Sequence, residues 1–181
     1  AKNHMIVMPD ADLDQSSDAI IGAAYGSAGE RCMAISVVVA VGDETADQLI
    51  ESLTPKVKSL KIGAYDEPGV EMGPVVSKES QDKIVSYIDA GLKAGADLKV
   101  DGRSETEREG FYVGGCLFDN VSSDMSIYTD EIFGPVLSVV RVSSYDEALK
   151  LVNDHEYGNG TAIFTRDGDT ARHFTTNVKV G

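Results

Sequence analysis

In "YGSAGERCMAIS", Tyr25 to Ser36, Cys32 follows a glycine-rich approach and stands directly after Glu30 and Arg31. The thiolate is the nucleophilic form of cysteine, and a neighbouring guanidinium favours it. Gly26 and Gly29 let a substrate come close to the backbone. Such a thiol suits attack on an electrophilic carbon. Free cysteine is also among the most buried residue types, so packing alone could account for one. Cys116, in "YVGGCLFDNV", has apolar neighbours and no adjacent cation, and reads as inert core.

A second constellation is "TDEIFGPVL", Thr129 to Leu137. Glu131 lies among the apolar residues Met125 and Ile132, beside Phe133 and a Gly134-Pro135 turn. A carboxylate there could accept hydrogen bonds from a diol while the ring packs the same ligand. A turn before a strand, with one exposed acid, explains the residue types equally well. Two further motifs carry no weight by pattern. "YGSAG" has Tyr25 where a nucleophile elbow needs its first glycine. "GNGTAI" lacks the third glycine of a dinucleotide fingerprint and precedes a strand. His4, His155 and His173 are scattered without ligand spacing, and two cysteines form neither a disulfide framework nor a C-x-x-C pair, so no metal site is expected.

The elements that must position these residues follow from periodicity. Apolar runs at His4–Met8 and in "AISVVVAVG" predict strands covered on both faces. Helices are predicted after Asp10 and Asp12 (both capping candidates), over "DETADQLIESLTPKVKSL", and over "KESQDKIVSYIDAGLKAGA", with Ile84, Ile88 and Leu92 in register and Gly95 as C-cap. A Gly- and Pro-rich loop separates the last two. Strands are expected at "DLKV", near Phe111–Val113, at Val136–Val142 and in "GTAIFT", with helices at "YDEALKLVND" and "DTARHFTTNV". This alternation implies an α/β sheet with helices on both faces.

Composition narrows the function. At 181 residues one domain is the default. A net charge of −14 without a basic cluster repels phosphate backbones and anionic lipid, so neither nucleic acid nor a membrane is an expected partner. No apolar run approaches the roughly 18 residues needed to cross a bilayer.

Together, "GERCMA", "EIFGPVL", "MGPVVS" and "YGNGTAIFT" resemble signature motifs of the aldehyde dehydrogenase superfamily, in order and along the whole chain. "AKNH" is similar to the end of that family's glycine-lysine segment, 30 residues before the cysteine when counted from Lys2 to Cys32. "AKNHMIVMPDAD" and "GSAGERCMA" resemble the CoA-acylating branch that takes methylmalonate and malonate semialdehyde. The resemblance implies a three-layer, Rossmann-like catalytic domain over residues 1–181, truncated, with the NAD-binding domain lying outside it. It implies Cys32 as catalytic nucleophile, Arg31 as a substrate-carboxylate ligand, and Glu131 and Phe133 as contacts to the nicotinamide ribose, with NAD as cofactor and coenzyme A as co-substrate. The reaction implied is oxidation of the semialdehyde to propionyl-CoA or acetyl-CoA through a cysteine thioester. The hydrolytic branch is the alternative, because its water-activating glutamate would fall before Ala1. A third expectation is that the chain by itself is a folded but catalytically silent module. The parent is expected to be a homodimer or homotetramer, cytoplasmic in bacteria and in the mitochondrial matrix in eukaryotes.

Overall fold

Strands β1 (Asn3–Val7) and β2 (Ile35–Val41) are continuous apolar or β-branched stretches, and all five residues of β1 are buried. Such runs suit the interior of a parallel sheet, where helices cover both faces. The computed structural model describes residues 1–180 and builds a six-stranded sheet from them. Its remaining strands are β3 (Asp97–Val100), β4 (Cys116–Asp119), β5 (Val136–Val142) and β6 (Thr161–Phe164), in the order β3-β4-β5-β2-β1-β6. Every neighbouring pair is parallel except β3 with β4.

The helices are α1 (Leu13–Tyr25), α2 (Asp43–Ser59), α3 (Lys78–Ala94), the single turn α4 (Ser126–Thr129), α5 (Tyr145–Asp154) and α6 (Gly168–Asn177). The β1–α1–β2 crossover moves one way across the sheet and β5–α5–β6 the other. Right-handed connections therefore put α1 and α5 on opposite faces. Helix α2 packs on α1, while α3 packs on α4, completing a three-layer arrangement. The core lies on both sides of β2 and β5, where Val37, Val38, Val39, Leu137 and Val139 are fully buried.

Local sequence explains most boundaries. Asp12 accepts the Gln15 N–H as N-cap of α1, and Ser77 does the same for Ser80 at α3. Gly95 closes α3 in the left-handed conformation, as expected. Asp10 has a different task from capping: its carboxylate accepts from the Thr165 hydroxyl and the Arg166 N–H, fastening the end of β6.

Two expectations need correction. Phe111–Val113 is not a strand; the strand is Cys116–Asp119, further along the chain and wholly buried. Phe111 is exposed, and nearby the backbones of Gly102 and Gly114 cross so tightly that a Cβ on Gly102 would lie 2.2 Å from the Gly114 carbonyl. A close backbone crossing replaces a ladder there. Leu92 is also exposed, and Gly91 takes its place on the buried face of α3, against Ile127 and Phe118.

Candidate active site

Cys32 sits just before β2, in a loop whose path is set by three consecutive left-handed residues. Helix α1 ends at Tyr25, whose hydroxyl donates to the Cys116 carbonyl at 2.9 Å and pins the helix end over β4. Ser27, Ala28 and Gly29 then have φ of 54°, 54° and 69°. Left-handed backbone costs a non-glycine residue about 1 kcal/mol or more, and such strain gathers where a loop must present a side chain. Gly29 cannot be replaced without cost, since a Cβ there would lie 2.3 Å from the Gly134 oxygen. The cysteine loop and the "EIFGPVL" loop thus meet backbone to backbone.

The result is an exposed Cys32 and a buried Cys116. The Cys116 sulfur accepts the Gly102 N–H at 3.2 Å, and burial pushes its thiol up to about 12. The two cysteines are as different as their sequence surroundings indicated.

Arg31 is exposed, and one terminal nitrogen donates to the carbonyls of Gly22 and Ala23, both at 2.8 Å. These lie in the last turn of α1, where a cation is favoured, and the Gly22 carbonyl also accepts the Gly26 N–H. The other guanidinium nitrogens donate to no protein group among the described residues. Arg31 is not paired with Glu30, which accepts the Val76 N–H at 3.3 Å and whose carboxyl is raised by burial.

The second loop leads from α4 into β5. Ile132 is buried, and its neighbours Glu131 and Phe133 are both exposed. Phe133 has φ 58°, a position that a ring-bearing residue rarely adopts. Behind the loop, Lys2 is fully buried and donates its ammonium to the Ile127 carbonyl at 2.7 Å, fixing α4. Burial lowers this ammonium to about 7, against the opposing pull of Asp130.

These features share one edge of the sheet. Cys32, Phe133, Lys2 and Asn159 precede or open β2, β5, β1 and β6, four adjacent strands, all at their amino ends. Open α/β sheets commonly bind ligands at the carboxyl ends instead, so here loop motifs rather than the general rule locate the site. Asn3 and Asn159 lie within "AKNH" and "YGNGTAIFT", motifs that point to no role for either residue, yet both donate to the Cys32 carbonyl. "GNG", set aside as a failed dinucleotide fingerprint, is therefore part of the cysteine's surroundings.

The remaining polar core is structural. His4 Nδ1–H donates to the Lys2 carbonyl, which leaves Nε2 to accept from the Tyr128 hydroxyl. His155 packs edge-on against the Tyr128 ring and tilted against that of His4. Among the described residues no group of three His, Cys, Asp or Glu could hold a metal ion. A cleft of about 640 Å³, lined by Tyr128, Asp130, Lys150, Leu151, His155 and Tyr157, lies behind α4 and does not include Cys32.

Known proteins match this chain along its whole length. The chain is 58% identical, over its full length, to the malonate-semialdehyde dehydrogenase of Pseudomonas aeruginosa, of which it covers 37%. It is 44% identical, again over its full length, to the mitochondrial acylating methylmalonate-semialdehyde/malonate-semialdehyde dehydrogenase of Bos taurus, covering 34%. A crystal structure from Sinorhizobium meliloti, provisionally named a methylmalonate-semialdehyde dehydrogenase and complexed with NAD, matches all of this chain and 38% of its own with a TM-score of 0.97 at 60% identity. The chain therefore spans a little over a third of the length of the relatives it matches. The model of the aldehyde dehydrogenase family matches residues 1–181, and the chain belongs to that family.

Proposed function

We propose that this chain carries the nucleophile-bearing part of an NAD-dependent, CoA-acylating semialdehyde dehydrogenase. The observation that carries the reading is the exposed Cys32 at the amino edge of the sheet, on a loop that meets the loop of the outward pair Glu131 and Phe133 at Gly29 and Gly134. On this reading the Cys32 thiolate attacks the aldehyde carbon, and the negative charge forming on oxygen needs donors already aimed at it. The backbone N–H of Cys32 supplies one such donor. The carboxylate of Glu131 and the ring of Phe133 fit a ribose diol and its apolar face, so they would hold the nicotinamide end of NAD. NAD held there would supply the hydride acceptor, and loss of hydride from the thiol adduct would leave Cys32 as a thioester. The thiol of coenzyme A then takes the acyl group, and a propionyl or acetyl product requires loss of the carboxylate as CO2.

Arg31 has free guanidinium donors on its outer side and would bind the substrate carboxylate, while its inner nitrogen caps α1. The remainder of the NAD site would come from outside this chain. The open position of Cys32, Glu131 and Phe133 favours the further reading that the 181-residue chain alone is catalytically silent.

The test is NADH formation by the full-length protein on malonate semialdehyde, with and without coenzyme A. Turnover that requires coenzyme A and yields acetyl-CoA is expected. Equal turnover without it would move the protein to the hydrolytic branch.

A further inference from the structure

We propose that Asn3 and Asn159 form an amide clamp that positions the Cys32 nucleophile. The proposal rests on the reading of Cys32 given above, and adds two positioning residues to it.

Asn3 is buried at the start of β1, and its side-chain amide is used completely. Oδ1 accepts the N–H groups of Asn159 at 3.0 Å and Gly160 at 2.9 Å. Nδ2 donates to the carbonyls of Cys32 and Ala34, both at 2.9 Å. Two N–H donors on one side and two carbonyls on the other allow only one orientation of this amide. Asn159 Nδ2 reaches the same Cys32 oxygen at 3.1 Å and also the sulfur of Met33 at 3.1 Å. Both lone pairs of the Cys32 carbonyl are thus occupied, one from β1 and one from the segment before β6.

The clamp stands where the backbone ladder fails. Pairing between β1 and β2 shifts register between Asn3 and His4, so the start of β2 depends on side-chain bonds. Gly160 makes room for it, because a Cβ there would lie 2.3 Å from the Met33 methyl group. Fixing the peptide plane that follows Cys32 fixes its ψ, and with it the line along which Cα–Cβ presents the thiol. Neither asparagine is placed on a reacting atom; each acts through the backbone of the cysteine. Attack geometry is steep enough that a displacement of about 1 Å can cost 100-fold in rate.

Asn159 is exposed, so its replacement spares the core. The experiment compares full-length wild type with Asn159→Ala, Asn159→Leu and the isosteric Asn3→Asp. It reads the first-turnover rate of NADH formation and the amide hydrogen exchange of the Glu30–Ile35 segment. Asn159→Ala and Asn159→Leu are expected to slow the first turnover about tenfold with KM for NAD and semialdehyde unchanged. Exchange should quicken in Glu30–Ile35 and nowhere in β5. Unchanged exchange in that segment, or an unchanged first-turnover rate, would overturn the clamp, and the Asn159 variants decide it even where Asn3→Asp does not fold. Wild-type protein that forms no Cys32-dependent NADH would defeat the functional reading instead, and the exchange measurement would then decide the clamp alone.

Discussion

Two cysteines in one chain divide the chemistry between them. Cys32 is exposed beside Arg31; Cys116 is buried, with its thiol held at about 12. Alkylation of the native protein at neutral pH is expected to label Cys32 and leave Cys116 unmodified until unfolding, as peptide mapping would show. Labelling of Cys116 at a comparable rate would contradict the assigned environments. This contrast was legible in the sequence, because the residue types adjacent to each cysteine decide it. The second task of Arg31 was not, since the carbonyls it caps lie eight and nine residues earlier and meet it only after α1 has formed. Asn3 and Asn159 were illegible for a stronger reason. They are 156 residues apart (159 − 3) and act on a backbone carbonyl, so only the adjacency of β6, β1 and β2 joins them.

Among the elements, the two site loops depend on one crossing. Gly29 and Gly134 touch through backbone, and Gly29 is left-handed. Gly29→Ala is expected to destabilise the protein by more than about 2 kcal/mol, through the forced φ and the clash together. It should also depress activity beyond the loss of folded protein, because the Cys32 and Phe133 loops would part. Denaturant unfolding alongside activity per folded molecule would check both; a neutral effect would mean the loops yield independently. In β5, the hydroxyl of Ser138 is buried without a partner. Ser138→Ala should therefore be neutral or stabilise by about 1 kcal/mol, read from the same unfolding curves. Periodicity located the strands and helices that alternate cleanly. It placed a strand near Phe111–Val113, whereas β4 begins beyond Gly114 and Gly115, at Cys116, after the close backbone crossing with Gly102.

The whole molecule is acidic, and its response to pH is set largely by what it buries. His4 is neutral in the folded state, lowered to about 3 chiefly by burial and by the nearby His155, with the hydrogen bond to the Lys2 carbonyl opposing and the Lys2 ammonium assisting. In the unfolded chain it takes up a proton below about 6.5. A lowered base binds fewer protons when folded, so acidification favours the unfolded chain, and stability falls as pH drops from about 6.5 toward 3. The slope from this group is about 1.4 kcal/mol per pH unit. Between about pH 6 and 5.5 most carboxylates remain ionised, so His4→Gln should flatten the dependence there. An unaltered slope would place the effect elsewhere. The order of the motifs along the chain reported the family, while their convergence at the amino ends of four neighbouring strands is a property of topology, which no single motif encodes.

The most direct test of Cys32 as the nucleophile is to trap what forms on it. Full-length protein would be mixed with NAD and malonate semialdehyde without coenzyme A, quenched in acid and digested for mass spectrometry. An acyl adduct on Cys32, removed by hydroxylamine and absent without NAD, is the expected result. NADH formation that proceeds in a Cys32→Ala variant, or with Cys32 unmodified throughout, would contradict it.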